Sequence, residues 1–163
     1  MPGVAFLVLG NIVGESQSVS NAIELESYSF GASNPANLGS GGLSGGTVSV
    51  SDFCFSCETD SSSGAILAQL FTGKPVDTAT FTLYESTGAD QSTSTPYVTV
   101  TFTNCYITSQ SFGGSGASGK PSQSISFAYE QVVYAYSSQV SASGAVSNSA
   151  NAGYNIATQS VVS

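Results

Sequence analysis

The chain has 163 residues, of which only 7% are charged, and its ten carboxylates against two cations give a net charge of −8. The cations, Lys74 and Lys120, are too few to neutralise a phosphate backbone or to hold an anionic membrane surface, so nucleic acid and lipid headgroups are poor partners. There is no His, which removes Ser-His-Asp and Cys-His catalysis and the commonest ligand for zinc and copper.

The length suits one domain, taken as 1–163, and hydrophobic residues at 40% are enough for a core. Val4 to Leu9 reads as a first strand. It is too short for a signal-peptide core or a membrane span, and no basic region precedes it, so no signal peptide is recognised and no membrane insertion is expected. Ile23 to Phe30 reads as a second strand. Glu24 and Glu26 share one of its faces and could mimic a catalytic carboxylate pair, but a solvated strand face is the better reading. Residues 31–46, GASNPANLGSGGLSGG, form a long glycine-rich connection that matches no phosphate-binding loop. A loop of that length inside one domain is unusual and often functional.

Val48 and Val50 share a face, after which the apolar series moves to Phe53, Phe55 and Cys57. Cys54 and Cys57 make a C-x-x-C, yet zinc would need four ligands and a redox pair would open a helix rather than lie in a strand. On a flat strand residues i and i+3 face opposite ways, so structural thiols are expected. Cys57 and Cys105 lie in the apolar parity of their strands and are assigned to the core. Cys54 is assigned to a surface or subunit contact. Whether Cys57 and Cys105 stand close enough for a disulfide is left open by the spacing.

One helix is predicted, with hydroxyls at Ser61, Ser62 and Ser63 for the N-cap and Gly73 at C′. Ile66, Leu67, Leu70 and Phe71 make its apolar stripe, which would plug one end of the β structure. Thr78 to Tyr84 then alternates, with Ala79, Phe81 and Leu83 on one face and Thr on the other. Tyr97 to Thr103 alternates through Val98, Val100 and Phe102 before passing to Cys105 and Ile107. Ile125, Phe127 and Tyr129 pass in the same way to Val132, Tyr134 and Tyr136. Such changes of parity predict β-bulges, and three bent strands favour a barrel or a tightly curled sandwich. Phe112 to Gly119 reads as a hairpin tip, and the Ser/Ala/Asn stretch 137–152 as an exposed connection.

The order of short motifs resembles the Hcp family, the tube proteins of type VI secretion systems. Ala5-Phe6-Leu7 followed by Gly14-Glu15-Ser16 is similar to the family's opening strand and turn. Glu24 to Pro35, ELESYSFGASNP, resembles its second strand, which leads into a long loop. Asp52, the helix Ser63-Gly64-Ala65-Ile66-Leu67 and the following Thr72-Gly73-Lys74 fit as well. Tyr134-Ala135-Tyr136 with Gln139 resembles the end of the long penultimate strand, and Gly153-Tyr154-Asn155-Ile156-Ala157-Thr158 the closing one.

The resemblance implies a mainly β fold: a barrel of two curled, largely antiparallel sheets with one short α-helix and a long extended loop. It implies a structural protein rather than an enzyme, with no cofactor and no metal. Copies of the chain would form six-membered rings around a channel, and the rings would stack into a tube. The loop 31–46 would join one ring to the next, with Asn34, Pro35, Leu38 and Leu43 as candidate contact residues. The implied partners are the chain itself and sheath, spike and cargo effector proteins, and the product would leave the cell after assembly in the bacterial cytoplasm. Family members carry many charges where this chain has Ser, Thr, Ala and Gly, so their salt bridges do not transfer. A free-standing extracellular filament built on the same fold is the alternative expectation, and a ligand-binding barrel is a third.

Overall fold

The computed structural model describes residues 5–17, 19–39, 41–84, 96–117, 119–139 and 146–162. In chain order the elements are β1 (Ala5–Leu9), β2 (Ile23–Glu24), β3 (Ser27–Ser29), β4 (Ala32–Ser33), β5 (Ala36–Gly39), β6 (Gly42–Gly45), β7 (Ser49–Val50) and β8 (Phe53–Glu58). The helix α1 (Ser62–Thr72) follows, then β9 (Val76–Leu83), β10 (Val98–Gly113), β11 (Ser122–Gln139), β12 (Val146–Asn155) and β13 (Ser160–Val162). The chain is mainly β and every ladder is antiparallel, as the alternating patterns require.

The wall runs β8–β11–β10–β9–β1–β2 and closes through one short segment. β2 pairs with β1, the Leu25 N–H donates to the Ala5 carbonyl at 2.9 Å, the Glu26 N–H donates to the Ser56 carbonyl at 2.8 Å, and β3 pairs with β8. The predicted second strand thus splits at Leu25–Glu26 to cross from one edge of the sheet to the other. This segment joins the two ends of the sheet, as in a barrel. Beyond the barrel the far half of β11 continues outward and carries β12 and β13.

The interior is filled by alternate residues of each strand. Phe53 is its centre, with ring centroids of Phe81, Phe102 and Phe127 at 5.2, 5.1 and 5.2 Å. Leu7, Leu9, Ile23, Val100, Ile125 and Ile66 of the helix complete the buried cluster. Each fully buried Phe or Leu contributes about 2–3 kcal/mol relative to exposure.

The changes of parity are real, but they are made differently from the expected bulges. At one level Val76 and Ala79 of β9, Phe102 and Cys105 of β10, and Tyr129 with half-buried Val132 of β11 all exchange faces. The register does not slip there: Phe102 pairs with Ala79 and Val132, and Cys105 with Val76 and Tyr129. No extra residue is needed because the neighbouring strands turn together. Asn104 sits at the turn with φ 51° and donates from Nδ2 to Glu130 Oε2 at 2.6 Å. The slip in β10 falls later, at Thr108, between the pairs Ile107–Phe127 and Ser109–Ser126. It turns Gln110 toward Gln123, whose carboxamide oxygen accepts from Gln110 Nε2 at 2.9 Å. The third change of parity is a break between β7 and β8 at Ser51–Asp52.

The helix ends at Gly73, whose φ of 65° and N–H bond to the Gln69 carbonyl close it as expected. Ser61 stands at the N-cap as expected, but its hydroxyl makes no capping bond, and Asp60 supplies it with Ser63. Asp60 Oδ1 accepts the Ser62 N–H at 2.9 Å, and Ser63 Oγ accepts the Asp60 N–H at 3.1 Å, a reciprocal cap. Ile66 is buried and Leu67 and Leu70 are half-buried, but Phe71 is 75% exposed, so the apolar stripe is narrower than predicted. Buried Gln123 fixes the helix to the barrel, donating from Nε2 to Ser63 Oγ at 2.8 Å.

Of the stretch 137–152, the described residues are paired rather than an open connection. Ser137–Gln139 and Val146 onward pair as β11 and β12, and the connection expected at 140–145 lies outside the described residues. Small polar side chains without an apolar face concealed the ladder.

Asn104 provides a test of the shared turn. Asn adopts positive φ far more readily than a β-branched residue, for which the same conformation costs about 1–3 kcal/mol. Asn104→Val is therefore expected to lose about 2 kcal/mol in urea unfolding, and Asn104→Gly distinctly less. Equal losses would place the cost in the Glu130 hydrogen bond instead of the backbone.

Candidate functional site

The feature that most departs from a plain barrel is the segment between Phe30 and Asp52. Residues 31–46 of it were expected as a loop, and together with β7 they form an antiparallel arm. Half-buried Phe30 holds its root, with ring centroids of Phe53 and Phe102 at 5.7 and 5.9 Å. Gly31 and Ser51 then bind each other three times: the Ser51 N–H donates to the Gly31 carbonyl at 2.8 Å, the Gly31 N–H donates to Ser51 Oγ at 2.8 Å, and that hydroxyl donates to the Gly31 carbonyl at 3.1 Å. Ala32 pairs with Val50 and Ser33 with Ser49.

A neck follows, where the Gly46 N–H donates to the Pro35 carbonyl at 2.8 Å. A Cβ on Gly46 would stand 2.5 Å from that carbonyl oxygen and 2.9 Å from Pro35 Cγ, so only glycine fits. β5 and β6 then form the outer hairpin, with Ala36 opposite Gly45, Asn37 opposite Ser44, Leu38 opposite Leu43 and Gly39 opposite Gly42. Both ladders are separate from the barrel sheet. At about 3.3 Å per residue, the arm from Gly31 to Gly41 reaches at most about 30 Å. Its tip glycines Gly39, Gly41 and Gly42 have nothing within 4 Å of a built Cβ.

Of the four candidate contact residues, Asn34 and Pro35 are exposed at the neck. Leu38 and Leu43 face each other across the hairpin register, and their side chains lie outside the described set. The arm brings the four together along one projection. The sequence signal for a hairpin was weak, because Gly, Ser, Ala and Asn show no alternation to read.

Two further surfaces stand out. An open cleft of about 270 Å³ is lined by Glu15, Glu24, Glu26, Glu58 and Asp60, with Lys120. Glu24 and Glu26 are both exposed there, as a solvated strand face would have them. On the outer wall, Ser27, Ser29, Ser56, Ser109, Ser124 and Ser126 line a shallow hollow that includes exposed Cys54. Hydroxyl pairs cross its strands, Ser27 to Ser56 and Ser109 to Ser126, each at 2.5 Å.

Cys57 and Cys105 lie in the core, and all three thiols are free. Burial pushes Cys57 up to about 11, partly offset by the Gln123 hydrogen bond, and Cys105 up to about 12. Gln123 was missed from sequence, although stepping back by two from Ile125 in the parity of Phe127 and Tyr129 leads to it. Among the described residues no group of three or more Asp, Glu or Cys is arranged to hold a metal ion, and no helix is long and apolar enough to cross a membrane.

The family model described as "Type VI secretion system effector, Hcp" matches residues 6–136. The chain belongs to the Hcp family. Among curated protein sequences none matches it. Solved structures share the fold at low identity. One described as a type six secretion system protein superimposes with a TM-score of 0.86 at 22% identity, covering 98% of this chain and 99% of the other. Hcp1 from Salmonella typhimurium gives 0.76 at 23% identity, covering 99% and 100%. A type VI secretion system effector from Yersinia pestis gives 0.70 at 24%, covering 93% and 98%. The family match ends at Tyr136, where the register of β11 against β12 slips before Ser137, so β12 and β13 belong to the shared fold by structure rather than by the matched sequence.

The thiols yield two expectations. A water-soluble thiol reagent at pH 8 should modify Cys54 rapidly and Cys57 and Cys105 only on unfolding, since both are buried and held protonated. Rapid modification of three thiols in the native protein would contradict this. Stability should also fall in alkali. Cys57, Cys105 and Tyr129, the last pushed up to about 12 by burial, all bind their protons more tightly folded than unfolded. Their contribution is complete below about pH 9 and is lost as pH rises toward 11–12, so the melting temperature should be level to about pH 9 and drop above it. A melting temperature that rises over that window would refute the burial argument.

Proposed function

We propose that this chain is a structural subunit whose copies form rings, six to a ring, that stack into a hollow tube of the type VI secretion kind. Membership of the Hcp family supports this reading, and the ordered arm at residues 31–51 gives it a physical means. A projection that makes no ladder with its own barrel is available to another copy. Asn34, Pro35, Leu38 and Leu43 are its proposed contact residues, with the neck at Pro35 and Gly46 holding the hairpin in line.

The chemistry of the contact follows from composition. With Lys120 in the acidic cleft, Lys74 is the remaining cation, so ion pairs between copies are few. Backbone hydrogen bonds and apolar side chains would carry association, with Val13, Phe71, Phe112 and Val161 exposed on the surface for the purpose. In this reading the role is mechanical, cargo proteins occupy the lumen, a sheath and a spike act on the tube, and the assembled protein is delivered out of the cell.

Negative-stain images of the purified protein should show rings and tubes, with light scattering giving the mass of the ring. Deleting Leu38 to Ser44, or placing Ala at Gly46, should leave the fold and single rings intact and abolish long tubes. Tubes of normal length from both variants would remove the arm from the ring-to-ring contact, and a monomer at high concentration would remove the whole reading. Raising salt to about 1 M should not dissociate the assembly, since screening acts mainly on repulsion between copies of like charge.

A further inference from the structure

The arm joins the barrel through two backbone crossings, Phe30–Gly31 and Ser51–Asp52, and among the described residues its ladders do not pair with the barrel sheet. Phe30 and half-buried Val50 pack against the core at this joint, but apolar packing is non-directional, so aiming the arm calls for a directional bond as well. Tyr129 reaches the joint from the barrel. Its ring is only 6% exposed, lies 4.7 Å from that of Phe102, and belongs to the core. Its hydroxyl donates to the Ser51 carbonyl at 2.9 Å. Ser51 in turn holds Gly31 by three hydrogen bonds, so one donor from the core engages both strands of the arm at its root. The adjoining residue is tied as well, since Thr108 Oγ1 donates to Asp52 Oδ2 at 2.9 Å.

We propose that Tyr129 is a positioning residue for the arm: its hydroxyl, acting through Ser51 and Gly31, sets the direction in which the arm leaves the barrel. The proposal rests on the ring-stacking reading only for its consequence, which is that an arm aimed in advance meets the next ring at lower entropic cost. Burial, with Asp52 nearby, pushes the hydroxyl up to about 12, so it donates throughout the neutral range. A buried tyrosine hydroxyl needs a partner, and the arm's root supplies it.

Tyr129→Phe removes this one hydrogen bond and keeps the ring that fills the core. Spin labels at Gly41→Cys near the tip and at exposed Asp77→Cys on β9, in a Cys54→Ser background, would report the arm's direction by pulsed electron resonance. The buried Cys57 and Cys105 would remain unlabelled. The expected result is a narrow distance distribution with Tyr129 and one at least about twice as wide with Tyr129→Phe, while circular dichroism is unchanged. Ser51→Ala, which keeps the carbonyl acceptor, should widen it less. An unchanged distribution in Tyr129→Phe overturns the proposal. A wider distribution with tubes of normal length overturns its link to stacking. If the unsubstituted protein forms no tubes, the ring-stacking reading fails, and the distance measurement still decides whether Tyr129 aims the arm.

Discussion

At the level of Asn104 three neighbouring strands turn their side chains over together, and the shape of the molecule depends on how that turn is made. β11 is the strand on which the consequences meet. Along one edge it stays with β10 from Ser122 to Tyr136, but along the other it pairs with β8 from Ser122 to Phe127 and with β12 from Gln131 onward. The change of partner falls across Tyr129 and Glu130, the same level as the turn. Glu130 accepts from Asn104 on one side, and its carbonyl takes the Ile156 N–H at 2.8 Å on the other. A straight β11 could not serve both the closed barrel and the outer extension. The positive φ of Asn104 bends the wall where it divides, and Tyr129 stands at that division with its hydroxyl free to meet the arm.

The chain does this with almost no charge to spend on specificity. Cross-strand contacts that often pair Lys with Glu are made here by hydroxyls and carboxamides. Ser27 meets Ser56, Ser109 meets Ser126, and Asn155 Nδ2 donates to Gln131 Oε1 at 3.1 Å. Such pairs contribute roughly 0.2–1 kcal/mol each, comparable to exposed ion pairs, and they do not weaken in salt. The buried network of Gln110, Gln123 and Ser63 does the same for the helix, joining it to the barrel by directional bonds where the apolar stripe is too narrow to hold it alone.

What could be read from the sequence was whatever left a pattern of large side chains. The strands with Thr on one face and Val or Phe on the other were legible, as were the changes of parity and the glycine that ends the helix. The way those changes are made was not, because a turn shared by three strands and an extra residue in one strand leave the same pattern in each strand. The arm and the β11–β12 ladder were hidden for the opposite reason. Gly, Ser, Ala and Asn pair through their backbones without an apolar face, so periodicity has nothing to detect. The N-cap position at Ser61 was legible, but the capping bond from Asp60 was not, because Asp and Ser are equally good caps and only the geometry chooses between them. The tie from Tyr129 to Ser51 spans 78 residues and ends on a backbone carbonyl, which no residue type announces.

The distribution of charge bears on how copies with a net charge of −8 could approach one another. Five carboxylates gather around one cleft, with Lys120 among them. The arm, residues 31–51, contains no Asp, Glu or Lys. Like charges separated by more than about 10 Å are largely screened at 0.1 M salt. A neutral arm reaching up to about 30 Å along its ladders can therefore touch another copy while the acidic clefts remain more than a screening length apart. A charged arm would need a matching partner charge at each contact, and this chain has almost no cations to supply one. In the proposed stacking, glycine, serine and asparagine in the arm would let a strongly acidic chain meet itself, and the core tyrosine bonded to Ser51 at its root would point so small a set of side chains in one direction.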